Sequence, residues 1–202
     1  MEKALVWAAW LLSAYLVGSI PFGFLIGRMR GVDVRTVGSK NIGATNVYRT
    51  VGKKWGFLAF FCDFLKGLVP VALARHFGCD MHLPLAVGLM AVAGHMFTCF
   101  MRFRGGKGVA TGFGMLLGLM PTLVLIAFGI FVATVWLSHY ISLGSCLAAA
   151  FLAVGVWFPW FGGQGWRNLP LCVTVTLVAL AAIYKHKANI RRLIDGCENR
   201  IY

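Results

Sequence analysis

Apolar runs broken by short polar turns cover most of the chain, and their lengths predict membrane helices rather than the alternation of a strand. Seven segments emerge, at 4–26, 55–75, 84–101, 108–119, 121–138, 142–158 and 168–184. The first run is too long for a signal-peptide core and has no small-residue cleavage site before its charged flank, so it is kept as a helix. The fourth has about a dozen residues. It would cover roughly 18 Å, short of a hydrocarbon core of roughly 30 Å, so it is expected to be a half-helix buried among others. Met120-Pro121 carries no charge, and a single bent helix over 108–138 is the rival arrangement.

Charge separates the two arrangements. With seven segments, one side collects Arg28, Arg30, Arg35, Lys40, Arg49, Lys53, Lys54, Arg102, Arg104, Lys107, Lys185, Lys187, Arg191, Arg192 and Arg200. The other side holds only Lys3, Arg75 and Arg167, and Lys66 lies within a segment. Cytoplasmic loops concentrate Lys and Arg, and fusing segments four and five would move the basic tail outside. The expected fold is therefore an all-α integral membrane protein with seven transmembrane or membrane-embedded helices. Its N-terminus lies outside, its C-terminus is cytoplasmic, and residues 1–202 form one domain without linker or repeat.

Composition agrees. Of 202 residues, 59% are hydrophobic, mean hydropathy is +0.79 and net charge is +13. Positive-inside loops account for that charge, so nucleic acid is not inferred. The six cysteines, Cys62, Cys79, Cys99, Cys146, Cys172 and Cys197, show neither a CxxC nor a metal spacing and read as small buried hydrophobes. Trp7, Trp55, Trp136 and Trp166 read as interface anchors or core.

Two loops carry candidate chemistry. Gly38-Ser39-Lys40-Asn41-Ile42-Gly43-Ala44-Thr45-Asn46, followed by Arg49, Lys53 and Lys54, combines close backbone approach, side-chain donors and positive charge. Such a stretch is suited to phosphate. Lipid attraction would explain its charge but not the Ser/Asn/Thr/Asn series. The second is Arg104-Gly105-Gly106-Lys107-Gly108-Val109-Ala110-Thr111. It fails the nucleotide P-loop pattern, because Met101 and Gly108 stand where Gly and Ser/Thr are required, so no nucleotide is implied. Glycines and a lysine before a helix still make an anion site at its N-terminus, and spacing alone leaves a plain flexible turn equally open.

Inside the segments, Asp63 and Lys66 lie three apart on one helix face. Charges at that depth are costly; the pair either pins neighbouring helices or takes part in function. His95 reads as a buried hydrogen-bonding residue, and Ser142 as an ordinary helix N-cap. His186 and Asn189 are expected on one face of a continuing helix, where a near-neutral histidine could act as base or phosphate donor. By spacing alone they equally suit a solvated tail. Gly114-x-x-x-Gly118 reads as helix packing.

Together these phrases closely resemble the bacterial acyl-phosphate-dependent glycerol-3-phosphate acyltransferases, over essentially the whole chain. The resemblance rests on Gly18-Ser19-Ile20-Pro21-Phe22-Gly23, residues 38–46, Asp63-Phe64-Leu65-Lys66-Gly67, Gly94-His95, residues 105–111, Ser142-Leu143, and residues 186–192 with Gly196 and Glu198. It implies a seven-helix enzyme of the bacterial inner membrane with its active site facing the cytoplasm. Such enzymes move a fatty acyl group from acyl phosphate to glycerol 3-phosphate. By motif, Ser39, Arg49, Lys107, His186 and Asn189 are the implied catalytic set. Gly38, Asn41, Gly43, Thr45, Asn46, Gly105, Gly106, Gly108, Thr111 and Ser142 join them in binding substrate. Asp63, Lys66, His95 and Glu198 are support.

No cofactor and no metal are expected, the partners are the two substrates and membrane lipid, and the expected state is a monomer. Two departures stand out: Lys40 occupies a position expected to be glycine, and Thr98-Cys99 replaces a Pro-Val-like pair. The other acyltransferase class acting on glycerol 3-phosphate carries His-x4-Asp, and no histidine here has Asp five residues on. A transporter of a phosphorylated solute is the alternative. It is disfavoured because the polar phrases cluster on one expected face and no repeated halves appear.

Overall fold

The computed structural model describes residues 2–78 and 82–201; Cys79 and the side chain of Trp166, with the roles expected of them, lie outside that description. Its helices are α1 (Glu2–Ser19), α2 (Phe22–Met29), α3 (Ala44–Thr50), α4 (Lys53–Phe77), α5 (Leu83–Met96), α6 (Val109–Leu119), α7 (Pro121–Ser138), α8 (Ile141–Gly155), α9 (Leu169–Lys185) and α10 (Lys187–Ile194). No β-strand occurs among the described residues. Four stretches are long and apolar enough to cross a membrane: Glu2–Met29, Lys53–Phe77, Leu83–Met101 and Pro121–Ser138. Leu169–Lys185 with Lys187–Ile194 counts as a fifth if the pair, bent by 55°, is one span, and Val109–Leu119 and Ile141–Gly155 are shorter apolar helices. Leu12, Phe61, Leu125 and Leu177 point outward from these helices, as lipid permits and water does not. The chain is an integral membrane protein.

Two compact units divide it, Met1–Leu119 and Met120–Tyr202. In the first, Trp7, Trp10 and Ala14 of α1 pack with Leu83 and Val87 of α5, while Thr98, just past α5, bonds Ser19 at the end of α1. These two helices therefore run in parallel. Helix α4 runs against them, since Ala74 packs with Leu83 and Asp63 faces His95. Helix α6 follows α4: a side chain at Gly67 would meet Thr111, and one at Gly118 would meet Val71. Gly114 lies equally close to the Phe64 carbonyl, so the small-residue spacing serves packing as expected. Because α4 and α6 run alike, the loops that precede them lie at the same end of this unit.

The first segment is not continuous. It breaks at Ile20-Pro21, where proline removes a donor and frees upstream carbonyls. Two long-range donors satisfy them: Thr98 Oγ1 donates to Ser19 O at 2.6 Å, and Lys66 Nζ donates to Ile20 O at 2.8 Å. The Thr98 departure thus fastens the end of α5 to the break. Of the third segment, α5 covers residues only to Met96; Cys99–Met101 forms a 3-10 turn. Helices α6 and α7 are separate, the chain leaving helical geometry at Met120.

In the second unit α7 and α8 are antiparallel, with Gly144 against Phe131 and Gly155 against Leu123. Helix α9 runs back along α8, tied by Trp157 Nε1 to Thr176 Oγ1 and Thr176 Oγ1 to Ala153 O. Of the described cysteines only Cys172 is fully buried, and Cys197, on the tail, is exposed, which corrects the reading of all as buried. Trp7 and Trp55 flank core clusters, whereas Trp136 is exposed as an anchor would be.

Candidate active site

The first loop is organised by Asn46. Its Oδ1 accepts from Ser39 N–H at 2.8 Å, and its Nδ2 donates to Val34 O at 2.8 Å and Val37 O at 3.2 Å. The residue is buried, so this amide is a tie within the loop rather than a group facing a ligand. Gly38, at φ +58, leaves no room for a side chain beside it. Asn41 Oδ1 accepts from Gly43 N–H, turning the chain into α3. What looks like loop in the sequence is helix from Ala44. That places Thr45 and half-buried Arg49 four apart on one face, after the loop that carries exposed Ser39. Upstream, the Arg35 guanidinium grips Asp33 at 2.7 Å and lowers its carboxyl to about 2.

Lys40 is left-handed, at φ +56. That is the conformation its expected glycine would supply without strain, and an L-residue there costs roughly 1–2 kcal/mol. Glycine's greater freedom in the unfolded chain offsets much of the relief. Lys40→Gly is therefore expected to leave thermal stability within about 1 kcal/mol. Lys40→Val, β-branched at positive φ, should lower the melting temperature clearly.

The second loop lies on the end of α5. Gly105 N–H donates to Met96 O at 3.1 Å, and Gly106 N–H to His95 O at 3.0 Å. A side chain at 105 would strike those carbonyls, and one at 106 would strike the His95 ring. These glycines therefore serve close packing, and their N–H groups are engaged within the protein. The donors available at the N-terminus of α6 follow them, beginning around Gly108, at φ +83, with Lys107 directly before. Thr111 lies in the first turn, fully buried, and its Oγ1 has no hydrogen-bond partner among the described residues.

Asp63 and Lys66 form an ion pair of 2.8 Å, both side chains 2% exposed, and His95 Nδ1 stands 3.6 Å from the same Asp63 oxygen. Asp63 lies ten residues into α4, about 15 Å along its axis. The second loop, resting on His95, is thus recessed to that depth.

The second unit gathers a different cluster where α8 begins and α9 ends. Gly196, at φ +69, turns the tail back so that Glu198 enters it. Glu198 Oε1 accepts from Ser142 Oγ at 3.0 Å and Asn189 Nδ2 at 2.7 Å, and Oε2 accepts from Arg192 Nε at 2.7 Å. Burial pushes this carboxyl up, but the three donors outweigh it and hold its pKa below the ordinary value. Ile201 N–H donates to His139 O, closing the tail over the α7–α8 turn.

Two expectations are corrected here. Ser142 is not an N-cap: Tyr140 precedes the helix, and Ser142, in the first turn, bonds Glu198. His186 does not sit within a continuing helix but is the joint between α9 and α10. Its Nδ1 stands 2.8 Å from Ala182 O. A carbonyl only accepts, so Nδ1 carries a proton and Nε2 is the lone-pair nitrogen of the neutral ring. The structure brings Ser142, Asn189 and Glu198 together, and unites Asp63, Lys66 and His95. Arg192 was missed as a partner, although its spacing of three from Asn189 repeats that of Asn189 from His186.

A family model described as glycerol-3-phosphate acyltransferase matches residues 8–196. Proteins named Glycerol-3-phosphate acyltransferase from Geobacter sulfurreducens and Trichlorobacter lovleyi are similar to the chain. The first is 51% identical over 188 residues, 93% of each chain, and the second 47% over 191 residues, 95% of each. Among solved structures, the chain resembles PlsY (YgiH), an integral membrane glycerol 3-phosphate acyltransferase. Its glycerol 3-phosphate form gives a TM-score of 0.85 at 39% identity, over 96% of this chain and 95% of that one. Its lysophosphatidic acid form gives 0.84 at 37%, with the same coverage.

Proposed function

The chain belongs to the glycerol-3-phosphate acyltransferase family, and from that premise we propose that it transfers a fatty acyl group from acyl phosphate to the 1-hydroxyl of sn-glycerol 3-phosphate. The products are 1-acylglycerol 3-phosphate and inorganic phosphate, the first step of bacterial phospholipid synthesis. One observation carries the chemistry furthest. The first unit holds two anion-suited turns at one end, one with Ser39, Thr45 and Arg49, the other with Lys107 before the N-terminus of α6. Both substrates carry phosphate, which two such turns suit.

Acyl phosphate is a mixed anhydride with a good leaving group. The glycerol 3-phosphate hydroxyl oxygen attacks the acyl carbon, the bond to phosphate breaks, and phosphate leaves. Orientation and charge stabilisation supply the rate. Lys107 and Arg49 hold phosphate and offset developing charge, while Ser39 and Thr45 orient substrate oxygens; the motif match adds Ser142 and Asn189, which donate to Glu198 in their own unit. The hydroxyl proton passes to His186 Nε2 or to the phosphate itself. Gly105, Gly106, Asn46 and Glu198 are given the task of shaping the loops and cluster.

The proposed topology has seven membrane segments, with N-terminus outside, C-terminus in the cytoplasm and the active site facing the cytoplasm of the inner membrane. Fifteen basic residues against three support it, as does the shared direction of α4 and α6. The family model runs through both units, which supports a single catalytic domain over 1–202, taken to act as a monomer.

Purified protein in detergent, given palmitoyl phosphate, is expected to release phosphate and form lysophosphatidic acid only when glycerol 3-phosphate is present. Folded, lipid-supplied protein that releases none, or releases it regardless of glycerol 3-phosphate, would sink the assignment. Solute movement across sealed vesicles without product would favour a transporter instead.

A further inference from the structure

We infer that His95, braced by Asp63 and Lys66, positions the Lys107 loop by acting as its floor, so that the buried ion network serves substrate binding rather than only helix packing. The inference rests on the reading of that loop as a phosphate site. His95 meets the loop twice. Its carbonyl accepts from Gly106 N–H at 3.0 Å, and its ring fills the space where a side chain at Gly106 would be. Lys107 is the next residue, so the height of the ring sets where the ammonium and the following N–H groups begin.

The ring itself is held from behind. Asp63 Oδ1 lies 3.6 Å from His95 Nδ1 and 2.8 Å from Lys66 Nζ, and Lys66 Nζ donates to Ile20 O at 2.8 Å. That carbonyl sits at the break made by Pro21, where it accepts from Phe22 N–H at 3.1 Å and has no helical partner one turn on. The neighbouring freed carbonyl, Ser19 O, accepts from Thr98, three residues after His95. The break therefore anchors both the network and the chain leading into the loop. One residue after Lys66, Gly67 lies against the Thr111 carbonyl in the first turn of α6, so α4 supports the loop from its far side as well. All three side chains are buried, and a pair placed only to neutralise charge would need neither the ring under Gly106 nor the carbonyl of Ile20. His95 is thus a positioning residue, acting through Gly106 and Lys107.

The test is a double-mutant cycle on the full chain in detergent, with kcat/KM, unfolding temperature and the temperature rise caused by glycerol 3-phosphate or palmitoyl phosphate as readouts. Gly106→Ala alone should cut kcat/KM by about 100-fold, since an added methyl displaces the loop by a fraction of an ångström or more. His95→Ala should cut it by about tenfold or more, chiefly through KM, because a phosphate anchor acts in ground and transition states alike. In the His95→Ala background the methyl has room, and Gly106→Ala should cost less than about threefold further. His95→Asn, which can keep a donor toward Asp63, should fall between wild type and His95→Ala.

Additive effects, or folded His95 variants with wild-type KM and wild-type ligand stabilisation, would overturn the inference. Should His95→Ala not fold, His95→Asn decides on the same readouts; failure of both to fold assigns the network to stability and also overturns it. Wild-type protein that is stabilised by ligand yet makes no product would count against the proposed reaction, while the ligand-stabilisation arm still judges the loop.

Discussion

Lys107→Ala is expected to lower glycerol-3-phosphate-dependent turnover by about 10²–10³-fold while leaving the fold in place. A single lysine ammonium about 4 Å from a phosphate oxygen contributes roughly 4 kcal/mol where the effective dielectric is near 20. That agrees with the roughly 2.7–4 kcal/mol lost when one preorganised donor to a developing anion is removed. The loop backbone has anchors besides this side chain. Gly105 and Gly106 anchor it to the carbonyls of Met96 and His95, and the N–H groups at the start of α6 remain. Lys107→Ala should therefore unfold within a few degrees of wild type, and Lys107→Arg should recover part of the rate. Phosphate release and lysophosphatidic acid formation, measured beside thermal unfolding, check this. A folded Lys107→Ala enzyme within threefold of wild type would remove the loop from the chemistry.

The second large effect lies at the other end of the chain. Glu198→Ala removes the common acceptor of Ser142, Asn189 and Arg192, leaving an Arg192 guanidinium and two buried donors without it. Arg192 is a third exposed and regains water, so the loss is chiefly that of the two buried donors, about 1–3 kcal/mol each. At roughly 2–4 °C per kcal/mol for a chain of this size, a fall of about 10 °C is expected. Glu198→Gln keeps an acceptor for Ser142 and Asn189 but loses the charge toward Arg192, so it should fall less than half as far. Scanning calorimetry orders the three; equal melting temperatures would mean the tail does not hold the cluster.

The sign of the pH effect follows from the same contacts. The folded pKa of Glu198 lies below its ordinary value, so its contribution is fully present above the usual carboxylate range and is lost as pH falls through the depressed folded value. Wild type should therefore lose stability on acidification below the ordinary carboxylate range. Glu198→Gln should lose less over the same window.

The helices that carry all this were legible in the sequence to differing degrees. Segments 55–75 and 121–138 matched α4 and α7 closely, because long apolar runs have no stable alternative to a hydrogen-bonded helix in lipid. The run at 4–26 concealed its break, since hydropathy does not register that Pro21 lacks a donor until partners for the freed carbonyls exist. The basic loop concealed α3, a helix too short and polar to show a periodic face. The bend at His186 was concealed for a related reason: residues 185–192 have helical spacing on both sides of the joint.

The candidate residues divide along the same physical line. Asp63 and Lys66 were paired correctly from a spacing of three, because the helix alone sets that distance. Their link to His95 and Ile20 lies across three segments, and no local pattern encodes it. The glycines at 105 and 106 were legible as a need for close approach, but not what approaches; only the packed chain puts His95 there. Asn46 and Ser142 had the right chemistry for a ligand or a cap. The folded chain engages one with the backbone of its own loop and the other with a glutamate 56 residues away. The sequence by itself determined the membrane class, the long apolar helices and the residue types able to meet phosphate, because these follow from composition and local periodicity. Tertiary structure alone decided which of those polar groups are already bonded to the protein, because a hydrogen bond closed over long sequence separation depends on where every intervening segment packs.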